Sequence, residues 1–367
     1  MGKIIMSPGK YIQSSGALRE LQSYTKNFGS KFLVVASDSG LKRTQATIEA
    51  GFAGTDKSVA FTNFNRECSK KEIHRVMEVC KAQGCDCIIG VGGGKLLDTA
   101  KAAAHYLGIP VVIVPTIAST DAPCSALSVI YREDGVFEEY LVLPKNPEIV
   151  VVDTDVIAKS PARFIVSGMG DALATYFEAR ACRQSNALNM AGMLPAVSAY
   201  ALAELCYKTL LEDGLKAKLA AESGVVTPAV EKIIEANTYL SGIGFESGGL
   251  AAAHAIHNGF TVMRECHSLY HGEKVAFGTL VQLALENAPL GEMEEVVDFC
   301  LSVGLPVTLA DMGVAQADPD KLMEVAKTAT AEGETIYNMP FEITAEKVYA
   351  AILAADAIGR ELSGAGA

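Results

Sequence analysis

The sequence predicts an α/β domain built on a parallel, Rossmann-like sheet, followed by an all-α domain. Three observations lead there. Short β-branched runs alternate with amphipathic stretches as far as about Ala158. Those runs are apolar at successive positions, as in strands covered by helices on both faces. Beyond Ser160 the chain becomes rich in Ala, Leu, Glu and Lys and carries almost no strand signal. Strands alternating with helices of this length imply βαβ units. The expected division is 1–158 and 159–367, which suits a 367-residue chain at roughly 100–200 residues per domain.

In order along the chain, Phe32-Leu33-Val34-Val35-Ala36, Cys87-Ile88-Ile89 and Val111-Val112-Ile113-Val114 read as buried strands. Lys70–Gln83 and Leu96–Leu107 carry apolar residues at helical spacing. From Ala126 to Leu143 two strand-like runs flank Glu133-Asp134-Gly135, a turn suited to a hairpin. Ile149-Val150-Val151-Val152 reads as a last strand that closes this domain. Ser160-Pro161 then reads as a helix start, with the hydroxyl as N-cap and proline at the first helical position. Met190–Leu211 and Ala345–Leu362 have helix length and periodicity.

Composition excludes several function classes. Lys and Arg total 31 against 43 Asp and Glu, a formal charge of −12, and no basic block is present. A nucleic-acid or anionic-membrane partner would leave a basic footprint. Nine scattered cysteines without a CxxC pair argue for reduced thiols in a cytoplasm. Cys85-Asp86-Cys87 sits in an apolar run, where strand alternation would turn both thiols to one face. The start lacks a signal-peptide core, and Pro110 and Pro115 interrupt the apolar run from Ile109 to Ala118. A soluble, cytoplasmic protein is expected, as a homo-oligomer.

Ile89-Gly90-Val91-Gly92-Gly93-Gly94-Lys95-Leu96-Leu97-Asp98-Thr99-Ala100-Lys101 follows a strand and opens a helix. Glycines there let backbone N–H groups approach a pyrophosphate at the helix N-terminus; the plainer reading is a turn needing positive φ. The run departs from the dinucleotide fingerprint, because Lys95 stands where its third glycine belongs, and from the P-loop, because Leu96 follows the lysine. It closely resembles the GGGKxxDxxK motif of the iron-containing (group III) alcohol dehydrogenases. That resemblance implies an NAD site with Gly92, Gly93, Gly94, Lys95 and Asp98 serving the cofactor.

The segment from Pro115 to Tyr131 leaves a strand with several hydroxyls and by itself is a polar loop. It resembles the corresponding loop of glycerol dehydrogenases within that group. The resemblance implies that Thr116, Ser119, Ser125, Leu127 and Tyr131 line the nicotinamide cofactor. Asp38, just after the first strand, could accept from the adenosine ribose and repel a 2′-phosphate, which favours NAD over NADP. Its alternative role is an ordinary cap or turn.

Four of the six histidines fall at 254, 257, 267 and 271. His254 and His257 share a helix face, and His271 begins the next helix after a loop. This density in a histidine-poor chain favours a metal or catalytic site, whereas His74 and His105 look like surface positions. A catalytic zinc takes three protein ligands and keeps one position open, so two histidines want a carboxylate. Gly168-Met169-Gly170-Asp171-Ala172-Leu173 supplies one near the start of a long helix, where it could equally complement the dipole. Glycerol dehydrogenases carry a metal-binding Asp in this context and histidines in HAIHNG and HGEKVAFG. The resemblance therefore implies Asp171, His254 and His271 as ligands, with His257 and His267 outside the ligand set. Iron-binding relatives have a further histidine where this chain has Thr175, so the resemblance implies three ligands and Zn2+.

The resemblance spans nearly the whole chain, from Ser7-Pro8 to Ala331-Glu332-Gly333-Glu334-Thr335, and implies the dehydroquinate-synthase-like fold. It also implies NAD-dependent oxidation of glycerol or a related vicinal diol. Asp121, in the hydroxyl-rich loop, would bind a second substrate hydroxyl. Rival readings are a dehydroquinate-synthase-like lyase, a glycerol-1-phosphate dehydrogenase and an NAD-binding sensor. The first two act on phosphorylated substrates and want a basic pocket, yet Arg180, Arg183 and Arg264 form no evident cluster in sequence.

Overall fold

The computed structural model describes residues 2–316 and 318–364. It divides into two compact units. One comprises Met6–Pro161 with Gly224–Val226; the other comprises Ala162–Ser223, the chain from Thr227 onward and the N-terminal residues up to Ile5. Strand β1 (Lys3–Ile4) accordingly pairs in parallel with a two-residue strand of the helical unit, Leu194–Pro195. That pairing was invisible in a region whose composition signals only helix.

In the α/β unit the strands are β2 (Tyr11–Ser14), β3 (Lys31–Ala36), β4 (Ser58–Asn63), β5 (Cys87–Gly92), β6 (Val111–Pro115), β7 (Leu127–Tyr131), β8 (Phe137–Val142) and β9 (Ile149–Asp153). Among the described residues, six of them form a parallel sheet in the order β2-β9-β6-β5-β3-β4. The helices of this unit are α1 (Leu21–Thr25), α2 (Asp38–Phe52), α3 (Lys70–Gln83), α4 (Gly94–Leu107) and α5 (Thr154–Ala158). Phe32, Val34, Ile89, Val91, Val112, Val114 and Val151 pack into one apolar cluster with Leu18, Leu21 and Ile48. The strands' other apolar residues, such as Leu33, Ile88 and Ile113, are also fully buried.

β9 is the last strand of this unit, as expected, and lies inside the sheet between β2 and β6. The edges are β2 and β4, whose residues are mostly half-buried and so give a weak apolar signal. Cys85 precedes β5, because Asp86 is engaged in accepting the backbone amides of Ser30 and Lys31 at 2.9 Å. Arg132 to Val136 makes the expected turn, with Gly135 at φ 83°, and the expected β7–β8 hairpin forms a two-stranded antiparallel sheet.

The helical unit contains α6 (Ala162–Ser185), α7 (Val197–Glu222), α8 (Pro228–Glu235), α9 (Ser241–Gly248), α10 (Ala252–Phe260), α11 (His271–Leu285), α12 (Leu290–Val303), α13 (Pro319–Ala329) and α14 (Ala345–Leu362). Met190–Ala196 is not helical as the periodicity suggested, since Gly192 takes φ 71° and Leu194–Pro195 is drawn into the pairing with β1. Ser160 does not cap α6, because its hydroxyl donates back to the Ile157 carbonyl at 2.7 Å. Among the described residues no helix is long and apolar enough to cross a membrane. The cysteines are free thiols, all buried except the half-buried Cys85.

Candidate functional site

The helical unit gathers its chemistry where α6, α10 and α11 meet. Asp171 does not begin its helix, contrary to the sequence expectation; it lies well inside Ala162–Ser185 and is 1% exposed. A helix-dipole role falls off within the first turn, so it does not account for this carboxylate. His254 is in the first turn of α10 and His271 is the first residue of α11. Asp171 Oδ1 is 3.2 Å from His254 Nε2 and 3.2 Å from His271 Nε2. Donor atoms from all three residues lie within 4.8 Å of one another.

Glycine makes this approach possible. A Cβ on Gly272 would lie 1.7 Å from the Ser167 carbonyl oxygen, and one on Gly170 would lie 2.3 Å from the Gly272 oxygen. The bare backbones let the start of α11 rest directly on α6, placing His271 beside Asp171.

Each imidazole is aimed by a partner on its other nitrogen. Glu178 follows Asp171 by seven residues and so shares its face of α6. It is fully buried, with Oε2 2.6 Å from His254 Nδ1. Its Oε1 accepts the backbone amides of Ala251 and His254 at 2.9 and 3.0 Å. One carboxylate thereby caps α10 and holds the proton of His254 on Nδ1, leaving Nε2 turned to Asp171. His271 Nδ1 is 3.1 Å from His257 Nε2. Gln282 Oε1 accepts two more amides at the start of α10, from Ala252 and Ala253. Sequence reasoning missed Glu178 altogether; the available signal was its i+7 spacing from Asp171.

Electrostatics agree with a cation site. Burial opposes the charge on Asp171, but the His271 and His254 rings hold its carboxyl well below the usual range. Burial likewise disfavours the His254 imidazolium, yet the Glu178 charge and the hydrogen bonds its ring donates to both carboxylates hold its pKa well above the ordinary value. His257 is pushed well below it by burial and then by the neighbouring His271. Thr175 stands on the same face of α6 and is packed away: its hydroxyl meets Ser241 Oγ at 2.8 Å, and Gly244 of α9 closes over its methyl. His267 is exposed, with Nε2 3.1 Å from the Thr261 carbonyl. His74 and His105 are exposed, as expected.

The α/β unit brings the other predicted residues to one edge of its sheet. Ala36 pairs with Val91 and Gly92 with Pro115, so β3, β5 and β6 end level. Gly92 ends β5, and Asp38, Gly93, Gly94 and Thr116 lie within two residues of the strand ends, at the carboxyl edge where open α/β sheets bind ligands. Asp38 is exposed in the first turn of α2 and accepts a hydrogen bond from Asn63. None of Gly92, Gly93 or Gly94 has a positive φ. Closeness constrains two of them: a Cβ on Gly92 would press on Leu96 at 2.8 Å and one on Gly93 on Ile117 at 3.0 Å, whereas one on Gly94 would meet nothing nearer than 3.7 Å. Helix α4 starts there without a side-chain cap. Lys95 pairs with Glu67 at 2.6 Å and lies over the Tyr131 ring.

The hydroxyl-rich loop is held from beneath by an ion pair. Lys101 is fully buried, 2.9 Å from Asp98 Oδ1, and donates to the carbonyls of Ala122, Ser125 and Leu127. Asp98 Oδ2 accepts the Val129 amide at 3.0 Å. Asp98 therefore faces the protein interior. Thr116, Ser125 and Asp121 are buried within or beside this loop, and Ser119 and Leu127 are half-buried.

Residues 8–154 match the family model for iron-containing alcohol dehydrogenases. Glycerol dehydrogenase of Citrobacter freundii is 57% identical over 361 residues, covering 98% of this chain and 99% of that protein. The chain belongs to the glycerol dehydrogenases of the iron-containing alcohol dehydrogenase family. A relative from Halobacterium salinarum named glycolaldehyde reductase is 44% identical, covering 99% of each chain. The solved glycerol dehydrogenase from Schizosaccharomyces pombe superposes with a TM-score of 0.96 at 38% identity, covering all of this chain and 93% of that one. Membership makes the chain an oxidoreductase with a metal site at Asp171, His254 and His271.

Proposed function

We propose that this chain is an NAD-dependent, zinc-dependent dehydrogenase that oxidises glycerol and related vicinal diols, converting glycerol to dihydroxyacetone. The observation that carries the reading is the buried Asp171 facing two imidazoles at 3.2 Å in a chain 57% identical to a glycerol dehydrogenase. The residues fit the ion. Bonds of about 2.0–2.2 Å in a tetrahedron set ligand atoms roughly 3.3–3.6 Å apart, close to the spacing of Asp171 Oδ1 from each Nε2. Two nitrogens and one oxygen form a borderline donor set suited to zinc, and Thr175 withholds a further nitrogen. When bound, zinc supplies a Lewis acid to a coordinated hydroxyl and NAD a hydride acceptor.

The chain's residues orient the reactants. Gly92, Gly93 and Gly94 admit the pyrophosphate to the backbone at the start of α4, and Lys95 borders it. Thr116, Ser119, Ser125, Leu127 and Tyr131 line the nicotinamide. Asp98 serves the cofactor indirectly, since with Lys101 it holds the loop that bears those groups. Asp121 accepts from the second hydroxyl of a diol. Phosphorylated substrates are disfavoured because Arg180 is committed to Glu286 and Glu292 at 2.8 and 2.5 Å.

NAD reduction across glycerol, propane-1,2-diol, ethylene glycol and a secondary mono-alcohol tests the reading. Asp121→Ala is expected to lower kcat/KM on glycerol about tenfold or more, the scale of one hydrogen bond to a charged group, with little change on the mono-alcohol. Equal losses on both would refute the positioning of the diol. A second reading, reduction of glycolaldehyde, is favoured by the relative bearing that name. A glycolaldehyde/NADH arm decides between the two. Asp38→Gly is expected to weaken NAD binding and raise relative use of NADP, because the carboxylate that repels a 2′-phosphate is gone. An unchanged cofactor preference would remove Asp38 from the ribose.

A further inference from the structure

The segment Ala331-Glu332-Gly333-Glu334-Thr335 carries no ligand, yet it is fastened to the metal-bearing helix. Thr335 Oγ1 donates to the Ala251 carbonyl at 2.8 Å and Asn338 Nδ2 to the Leu250 carbonyl at 2.8 Å, both just before α10. These anchors hold the half-buried Glu334 against Asn258, whose Nδ2 lies 3.1 and 3.3 Å from its two carboxylate oxygens. Asn258 Oδ1 faces His257 Nδ1 at 3.1 Å, and His257 Nε2 faces His271 Nδ1 at 3.1 Å.

Hydrogen-bond polarity along this row is determined from one end. A carboxylate only accepts, so Asn258 must present its NH2 to Glu334 and its oxygen to His257. His257 then donates from Nδ1 and accepts at Nε2. His271 must therefore carry its proton on Nδ1, which leaves the Nε2 lone pair turned to Asp171. The opposite polarity would put a proton on the nitrogen required for the metal. We propose that Glu334 and Asn258 are positioning residues that set, through His257, the tautomer and aim of the ligand His271. The inference rests on the metal reading above and assigns to Glu334 and Asn258 the part Glu178 plays for His254.

The test measures zinc affinity by chelator competition and the visible absorption of cobalt-substituted protein, with thermal melts reporting folding. Glu334→Ala and Asn258→Ala are each expected to weaken zinc binding by roughly 10–100-fold, the usual effect of removing a group that orients a ligand. Both should alter the cobalt spectrum while NADH binding is retained. Glu334→Gln, whose amide can accept from Asn258 but can also donate to it, should recover only part of the affinity. In a His257→Ala background Glu334→Ala should cost nothing further, because the row is already cut. An equal loss in that background, or wild-type affinity in Glu334→Ala, would overturn the inference alone. Wild-type protein that takes up no stoichiometric zinc would overturn the metal reading and this inference together.

Discussion

His271→Ala is expected to abolish turnover, with a loss on the order of 10³-fold or more if several kcal/mol of Lewis-acid stabilisation disappear. The reason is geometric. Asp171 and His254 remain, but their 3.2 Å contact offers one edge of a tetrahedron where three donors are required. The same substitution should defeat rescue: extensive chelation of wild type removes activity and added zinc restores it, whereas the variant stays inactive. NADH binding, followed by nucleotide fluorescence, should persist, because the proposed cofactor residues belong to the α/β unit. Full activity in metal-free wild type, confirmed by elemental analysis, would sink the mechanism. Iron at one equivalent without zinc would sink the metal identity alone.

Gly272→Ala is expected to be nearly as damaging without removing any functional group. Its new methyl would stand 1.7 Å from the Ser167 carbonyl oxygen and 2.8 Å from the Asp171 nitrogen. Both belong to the backbone of a buried helix, so no side chain can swing aside. Helix α11 must back away from α6, carrying His271 from Asp171. Overpacking of this kind costs about 1–3 kcal/mol, at times more. A fall in Tm of roughly 5–10 °C is expected for the helical unit, together with weakened zinc binding. Gly291→Ala is the control, since a Cβ there meets nothing within 4 Å and the residue lies in α12. Helix propensity makes that change neutral or stabilising by up to about 1 kcal/mol. Wild-type melting and zinc affinity in Gly272→Ala would show that the crossing tolerates a methyl and that the glycine is incidental.

The parallel sheet was legible because its central strands are covered on both faces and so appear as unbroken apolar runs. Lys70–Gln83, the hairpin turn and Ala345–Leu362 were legible because local periodicity and turn chemistry act over a few residues. The edge strands β2 and β4 were not, since half-buried strands resemble polar loops. His254 and His271 stood out by density and resemblance, and Asp171 by its motif. The sequence misjudged where Asp171 sits in its helix: α6 starts at Ala162, directly after Ser160-Pro161, so Asp171 lies well inside it, and Gly170 before it serves close packing on α11 rather than a helix start.

What the sequence determined by itself is local: which segments bury both faces, which turns need glycine, and which rare side chains cluster within one stretch of chain. What only the tertiary structure decided is the set of partners that make those side chains useful. Glu178 meets His254 across 76 residues, and Asn258 meets Glu334 across another 76. Neither spacing is periodic in any helix or strand, so neither leaves a trace in the chain. The packing of α6, α10 and α11, brought close by Gly170 and Gly272, places a buried carboxylate behind one imidazole and a hydrogen-bonded row behind the other. The physical reason is that a lone pair can be aimed only by what lies on the far side of the ring, and that neighbour is supplied by packing.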